Sequence, residues 1–259
     1  MANLIIIVPI YKPTLNDLEK YSLDFSLAAL PGRLVVFIGP SDLNLDYYAA
    51  QYPSIQFIGF DNACFASIQG YNRLLLNPAF YQQFSAYEHM LILQTDAIVL
   101  RDELNHWCQL PFDYVGAPWP NGVELFVNLG PFAHDNGRRV RAMVGNGGLS
   151  LRRISRCISL LQEFPDATDY FNRSGSSEDL FFSLMGSLSR NFILPNEISA
   201  SMFSLELQPS LYYAINGNCL PMGGHAWWKY DVSFWKKILP PSPLLDSLWA
   251  ELTPESCSS

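Results

Sequence analysis

Four polar clusters carry the side chains suited to chemistry. Gln94-Thr95-Asp96 follows the apolar run at residues 90–93. Ligands of open α/β sheets sit beyond the carboxyl ends of strands. Asp96 is therefore placed to hold a hard cation that bridges a diphosphate, or else to cap the next turn. Gly145-Asn146-Gly147-Gly148 opens into an apolar segment. Its glycines either admit a ligand close to the backbone, with Asn146 facing ligand hydroxyls, or form a tight turn or bulge. Ser177-Glu178-Asp179 puts two carboxylates at a helix start. They match the helix dipole, or one is a general base for a hydroxyl proton. Gly223-Gly224-His225 precedes Trp227 and Trp228. An imidazole there suits a metal or a diphosphate, and a structural turn is the alternative. Glu206 lies in an apolar strand candidate and is assigned a structural hydrogen bond in preference to site support. Trp119 either stacks on a ligand or packs under a loop. His89 reads as a surface residue, and Phe181-Phe182 as core.

These clusters need elements to carry them. Residues 3–8, 34–38, 55–60 and 90–93 read as buried strands, rich in Ile, Leu and Val and closed by Pro, Gly or polar residues. Thr14 is the expected N-cap of a helix running to Leu30. Residues 64–76, 78–84, 154–164, 178–184, 232–239 and 244–252 read as further helices, with Ser177 capping the fourth. Strand candidates follow at 148–151 and 202–207. Residues 121–139 lack periodicity and carry Pro, Gly and Asn, so a long surface loop or lid is expected there. Strands alternating with helices predict an α/β domain with a mostly parallel sheet covered on both faces.

Composition narrows the classes. Of 259 residues, 49% are apolar and only 15% charged, which suits one globule and excludes disorder. Sixteen basic against twenty-four acidic residues leave a net charge of −8. Such a chain is no nucleic-acid binder, because phosphate-backbone affinity needs clustered Lys and Arg. Five widely spaced cysteines, an odd number, predict neither a disulfide framework nor a zinc site and point to the cytoplasm. No basic region precedes the first apolar run, so no signal peptide is expected.

Taken in order, Val8 to Lys12, Gln94-Thr95-Asp96, the segment from Tyr114 to Trp119, Gly145 to Ser150, Ser177-Glu178-Asp179 and Gly224-His225 resemble a family of GT-A-like glycosyltransferases formerly known only as a domain of unknown function. The resemblance covers roughly residues 3–230. It implies a single GT-A-type domain with a Rossmann-like mixed, mostly parallel sheet flanked by helices. Residues 1–115 would bind the nucleotide sugar, 116–230 the acceptor, and 231–259 form a helical tail. It implies transfer of a sugar, hexosyltransferase-type, from a nucleotide-diphosphate donor such as a UDP-sugar to a hydroxyl of a glycan or lipid-linked glycan. In this scheme Asp96 and His225 hold manganese or magnesium, with Gln94 replacing the first carboxylate of the usual Asp-x-Asp motif. Pro9, Ile10, Tyr11 and Lys12 hold the nucleoside, together with Gln94, Thr95 and Asp96 at the diphosphate. Trp119, Asn146, Gly147, Gly148 and His225 contact substrate. Asp179 is the base of an inverting reaction, with Glu178 as the alternative. The analogy extends to polysaccharide biosynthesis at the inner face of the membrane, with peripheral contact through a lipid-linked acceptor. A retaining transferase on the same fold, or a catalytically silent binding module, are the alternatives.

Overall fold

The structure is a computed structural model that describes residues 3–128 and 130–252. Leu129, Cys257 and the end of the expected tail lie outside the described residues. In chain order the elements are β1 (Leu4–Pro9), α1 (Asp17–Ala29), β2 (Val35–Pro40), α2 (Asp46–Gln51), β3 (Gln56–Phe60), α3 (Ile68–Leu75), α4 (Pro78–Gln82), β4 (His89–Leu93), β5 (Ala97–Val99), α5 (Leu104–Gln109), β6 (Tyr114–Val127) and β7 (Arg138–Arg153). Then come α6 (Ile154–Glu163), α7 (Pro165–Ser174), α8 (Glu178–Leu188), α9 (Glu197–Phe203), β8 (Ser204–Leu205), α10 (Pro209–Ile215), β9 (Gly223–His225), α11 (Val232–Ile238) and α12 (Pro243–Leu252).

Six strands form the main sheet in the order β3-β2-β1-β4-β7-β6. The first four are parallel; β7 pairs antiparallel with both β4 and β6. Apolar residues fill β1 without alternation because both faces are covered. Ile5 and Ile7 pack toward α3, α4, α6 and α8, while Leu4, Ile6 and Val8 pack toward α1, α2 and α5. A fully buried Ile contributes roughly 2–3 kcal/mol, so this central strand anchors both layers. A small second sheet has the order β5-β9-β8. It is backed by Trp227, Phe234, Trp235 and Trp249 together with Leu18, Tyr21 and Phe25 of α1.

Several expectations are corrected. Residues 121–139 are a loop only in part: 121–127 and 138–139 belong to β6 and β7, which pair as a long ribbon from Tyr114↔Arg152 to Val127↔Arg138, and the described residues between them form turns and short 3-10 segments. The strand candidate at 148–151 is one end of that longer β7. The cap of α1 is Asn16 rather than Thr14, and it forms a full capping box with Glu19. Ser177 stands at the N-cap of α8 without a side-chain cap bond. The candidate strand at 202–207 divides into the last two residues of α9, the two-residue β8 and two irregular residues. His89 is buried, 2% exposed, at the start of β4.

Candidate active site

At the carboxyl ends of β1 and β4, the main sheet opens into a cleft of about 660 Å3. Gln94, Thr95 and Asp96 carry the chain from β4 of the large sheet into β5 of the small one. Gln94 N–H donates to the Gly148 carbonyl at 2.9 Å, which brings the glycine run of β7 beside Asp96. β9 pairs with β5 through His225↔Ala97, so the imidazole returns to the same point.

His225 is held on both sides. Its Nδ1 lies 2.8 Å from Glu206 Oε2. Its Nε2 lies 3.2 Å from Asp96 Oδ1, within ion-pairing distance, but without the alignment of a hydrogen bond, so that buried nitrogen has no hydrogen-bond partner. Burial opposes a charge on the ring, but Asp96 and Glu206 outweigh it and raise the pKa to about 10. Burial likewise pushes the Asp96 carboxyl up, while His225 and Lys12 pull it to a net value below the usual carboxylate range. A Cβ at position 148 would overlap the His225 ring, so Gly148 is what lets the imidazole lie against β7. Ala226 follows with φ 45°, a left-handed conformation that costs a non-glycine residue roughly 1–2 kcal/mol.

A divalent cation at this pair would take the place of the proton that the raised pKa keeps on the ring. Glu206 fixes Nδ1, which turns Nε2 toward the Asp96 carboxylate, the arrangement that orients histidine ligands from behind. Among the described residues no group of three or more His, Cys, Asp or Glu gathers to hold a metal. Two protein ligands suit an ion whose remaining positions are filled by water and ligand phosphates.

Asp179 lines the same cleft from the first turn of α8. Burial and the neighbouring Glu178 charge raise its pKa to about 6. Glu178 is engaged otherwise: both its oxygens accept from the buried Arg152 guanidinium, at 2.9 and 3.0 Å. Of the remaining sequence-predicted residues, Pro9, Tyr11, Gln94, Thr95, Asn146, Gly147 and Gly148 line the cleft. Ile10 does not: it is 1% exposed in the core, and its N–H donates to the Ile38 carbonyl. Lys12 is also outside the lining and pairs at 2.7 Å with Glu19, whose carboxylate does face the cleft. Trp119 stands behind the lining, packed on Gly145, with its indole N–H donating to Asn146 Oδ1. Sequence reasoning missed Glu19 and the wall of Phe65, Ser67, Ile68, Tyr71 and Asn72, and it undervalued Glu206. Glu19 reads locally as a helix-capping residue, and the wall carries no motif.

A family described as "Protein of unknown function (DUF5672)" matches residues 54–225. No curated protein matches the chain. Among solved structures, an active-site mutant of LgtC superposes with a TM-score of 0.56 at 16% identity, over 97% of this chain and 98% of that one. Galactosyltransferase LgtC in complex with donor and acceptor sugar analogues gives 0.53 at 16% identity and the same coverage. Mouse xyloside xylosyltransferase 1, in its apo form, gives 0.51 at 11% identity, over 86% of this chain and 96% of that one. The shared feature is the fold, a mixed α/β domain of the GT-A glycosyltransferase type.

Proposed function

The chain belongs to this family of unknown function, and from that premise we propose that it is a glycosyltransferase moving a sugar from a nucleotide-diphosphate donor to an acceptor hydroxyl. The observation that carries this reading is that Asp96, His225 and Asp179, far apart along the chain, line one cleft at the carboxyl ends of parallel strands. Asp96 and His225 would hold manganese or magnesium, which supplies charge relief to the leaving diphosphate. Tyr11 and Pro9 border the nucleoside end, and Gln94 and Thr95 the diphosphate. Asn146, Gly147 and Gly148 face the sugars. The acceptor is a glycan or lipid-linked glycan, and the donor a UDP-sugar.

Asp179 is the base. The acceptor oxygen bonds to the anomeric carbon as the bond from that carbon to the diphosphate oxygen breaks. The electron pair leaves on the diphosphate, and the acceptor proton passes to the Asp179 carboxylate. Attack opposite the leaving group inverts the anomeric centre. Glu178 is the weaker choice of base because Arg152 occupies both its oxygens.

Nucleotide release across common sugar nucleotides, with and without manganese, tests the reading. Absence of turnover and of nucleotide-diphosphate binding with every donor would refute it. Asp96→Asn is expected to lower kcat at least ~100-fold, the scale of losing one charge-stabilising group, with only a modest fall in Tm from the lost ion pair with His225. A collapse of Tm would make Asp96 structural. Gln94, standing where a second metal-binding carboxylate is usual, favours one alternative, a module that binds nucleotide sugars without turnover. Calorimetric binding without product over a broad acceptor panel would support it. The anomeric configuration of product by NMR separates inversion from retention.

A further inference from the structure

Behind the cleft lies a polar cluster that the chemistry above leaves unused. Arg152 on β7 is wholly buried. Its Nη1 and Nη2 grip Glu178 Oε2 and Oε1. Nη1 also donates to the Tyr81 hydroxyl at 2.9 Å, and Nε to Ser150 Oγ at 3.1 Å. The guanidinium lies 5.0 Å from the Tyr114 ring centroid and 5.4 Å from that of Phe182. The cluster reaches further into β7. Ser150 Oγ donates to the Gly147 carbonyl at 2.9 Å, and the Tyr114 hydroxyl to the Gly145 carbonyl at 2.6 Å. A Cβ at position 147 would stand 3.0 Å from Glu178 Oε1 and 3.3 Å from Arg152 Nη2. The glycine run and the first turn of α8 are thus tied to one guanidinium.

Stability alone is a poor reason for such a pair. A buried ion pair is often no more stabilising than apolar side chains of the same volume. What apolar packing does not supply is direction, which a planar fork with five fixed N–H donors does. Glu178 is followed immediately by Asp179, whose carboxyl faces the cleft.

We propose that Arg152 is a positioning residue that locks the first turn of α8 against the Gly145–Gly148 run and so fixes where the Asp179 carboxyl stands in the cleft. The inference rests on the reading of Asp179 as the base. It predicts that removing the whole pair restores the fold but not the placement.

The test compares the full-length wild type with Arg152→Met, Arg152→Lys and the double variant Arg152→Met/Glu178→Leu. Three quantities are read: Tm, the Asp179 χ1 rotamer from NMR side-chain couplings, and kcat with KM for sugar transfer. Arg152→Met should lose Tm sharply, because Glu178 is left buried and unpaired. The double variant should recover most of that Tm. It should nevertheless average its Asp179 rotamers and lose roughly 100-fold in kcat, as a slightly misplaced group does, with KM little changed. If the double variant fails to recover, Arg152→Lys, which keeps the charge but loses the fork, is read for the same rotamer and rate. A stable variant with a single Asp179 rotamer overturns the proposal, whatever its rate. Averaged rotamers with undiminished kcat leave the positioning intact and refute Asp179 as base instead.

Discussion

A base must be ionised to accept a proton, and Asp179 is held protonated to an unusually high pH for a carboxyl. Burial is the larger cause, with the Glu178 charge adding to it, and together they raise its pKa to about 6. We expect kcat/KM to fall tenfold per pH unit below about pH 6 and to level off above it. Asp179→Asn should abolish that limb and lower the rate by ~10²–10⁴-fold, the usual worth of general base catalysis. Stability runs the opposite way. The folded pKa lies above the unfolded value of 3.8, so the native state holds the proton more tightly. The protonated carboxyl costs the fold nothing at low pH, and stability is lost as pH rises through about 6. Asp179→Asn should therefore melt above the wild type near pH 8 and level with it near pH 4, checked by calorimetry at both. Asp96 and His225 were legible in the sequence because each is a reactive residue type at the end of an apolar or glycine-rich run, and Asp179 because it stands beside a second carboxylate at a helix start. Arg152 was not, and neither was the partner of Glu206. Glu206 meets His225 only because β8 pairs with β9 through Leu205↔Gly224, and no local spacing encodes a pairing made across that distance.

At the scale of elements, α1 does more than cover the sheet. Ser26 Oγ donates to the Ser22 carbonyl and accepts the Val99 N–H at 2.9 Å, tying the helix to β5 just beyond Asp96. Ser26→Ala would leave that buried N–H without a partner, at a cost of about 1–3 kcal/mol. Urea denaturation should show this loss, with KM for the donor unchanged; an unaltered midpoint would mean that the N–H finds another acceptor. The strands β1, β2 and β4 were readable because burial on both faces demands unbroken apolar runs. The β6–β7 ribbon was not. Pro118, Pro120 and Gly122 punctuate β6, and its register shifts between Val115 and Ala117 and again between Pro118 and Val123. Those breaks erase the two-residue alternation by which a strand is recognised. α7 went unread because its polar length, with few apolar residues, resembles a connection.

Across the whole molecule, acidic groups outnumber basic ones, and the cleft follows that balance. Glu19, Asp96, Asp179 and Glu206 all face it, and Lys12, paired to Glu19, stands outside its lining. A polyanionic ligand would meet a repelling field there unless a cation accompanied it. No described helix is long and apolar enough to cross a membrane.

The seam between the two sheets runs through this site. Asp96 belongs to the strip of chain that leaves the large sheet, His225 to the last strand of the small one, and Gly148 of the large sheet lies against the imidazole. β5 is wholly buried and β9 is paired on both edges, so their amides exchange only when the seam between the two sheets parts. Anything that grips Asp96 and His225 together would act as a clasp across the seam. Deuterium uptake by the amides of Ala97–Val99 and Gly223–His225 should then slow markedly when UDP and manganese are added together, while the amides of β1 and β2 keep their pace.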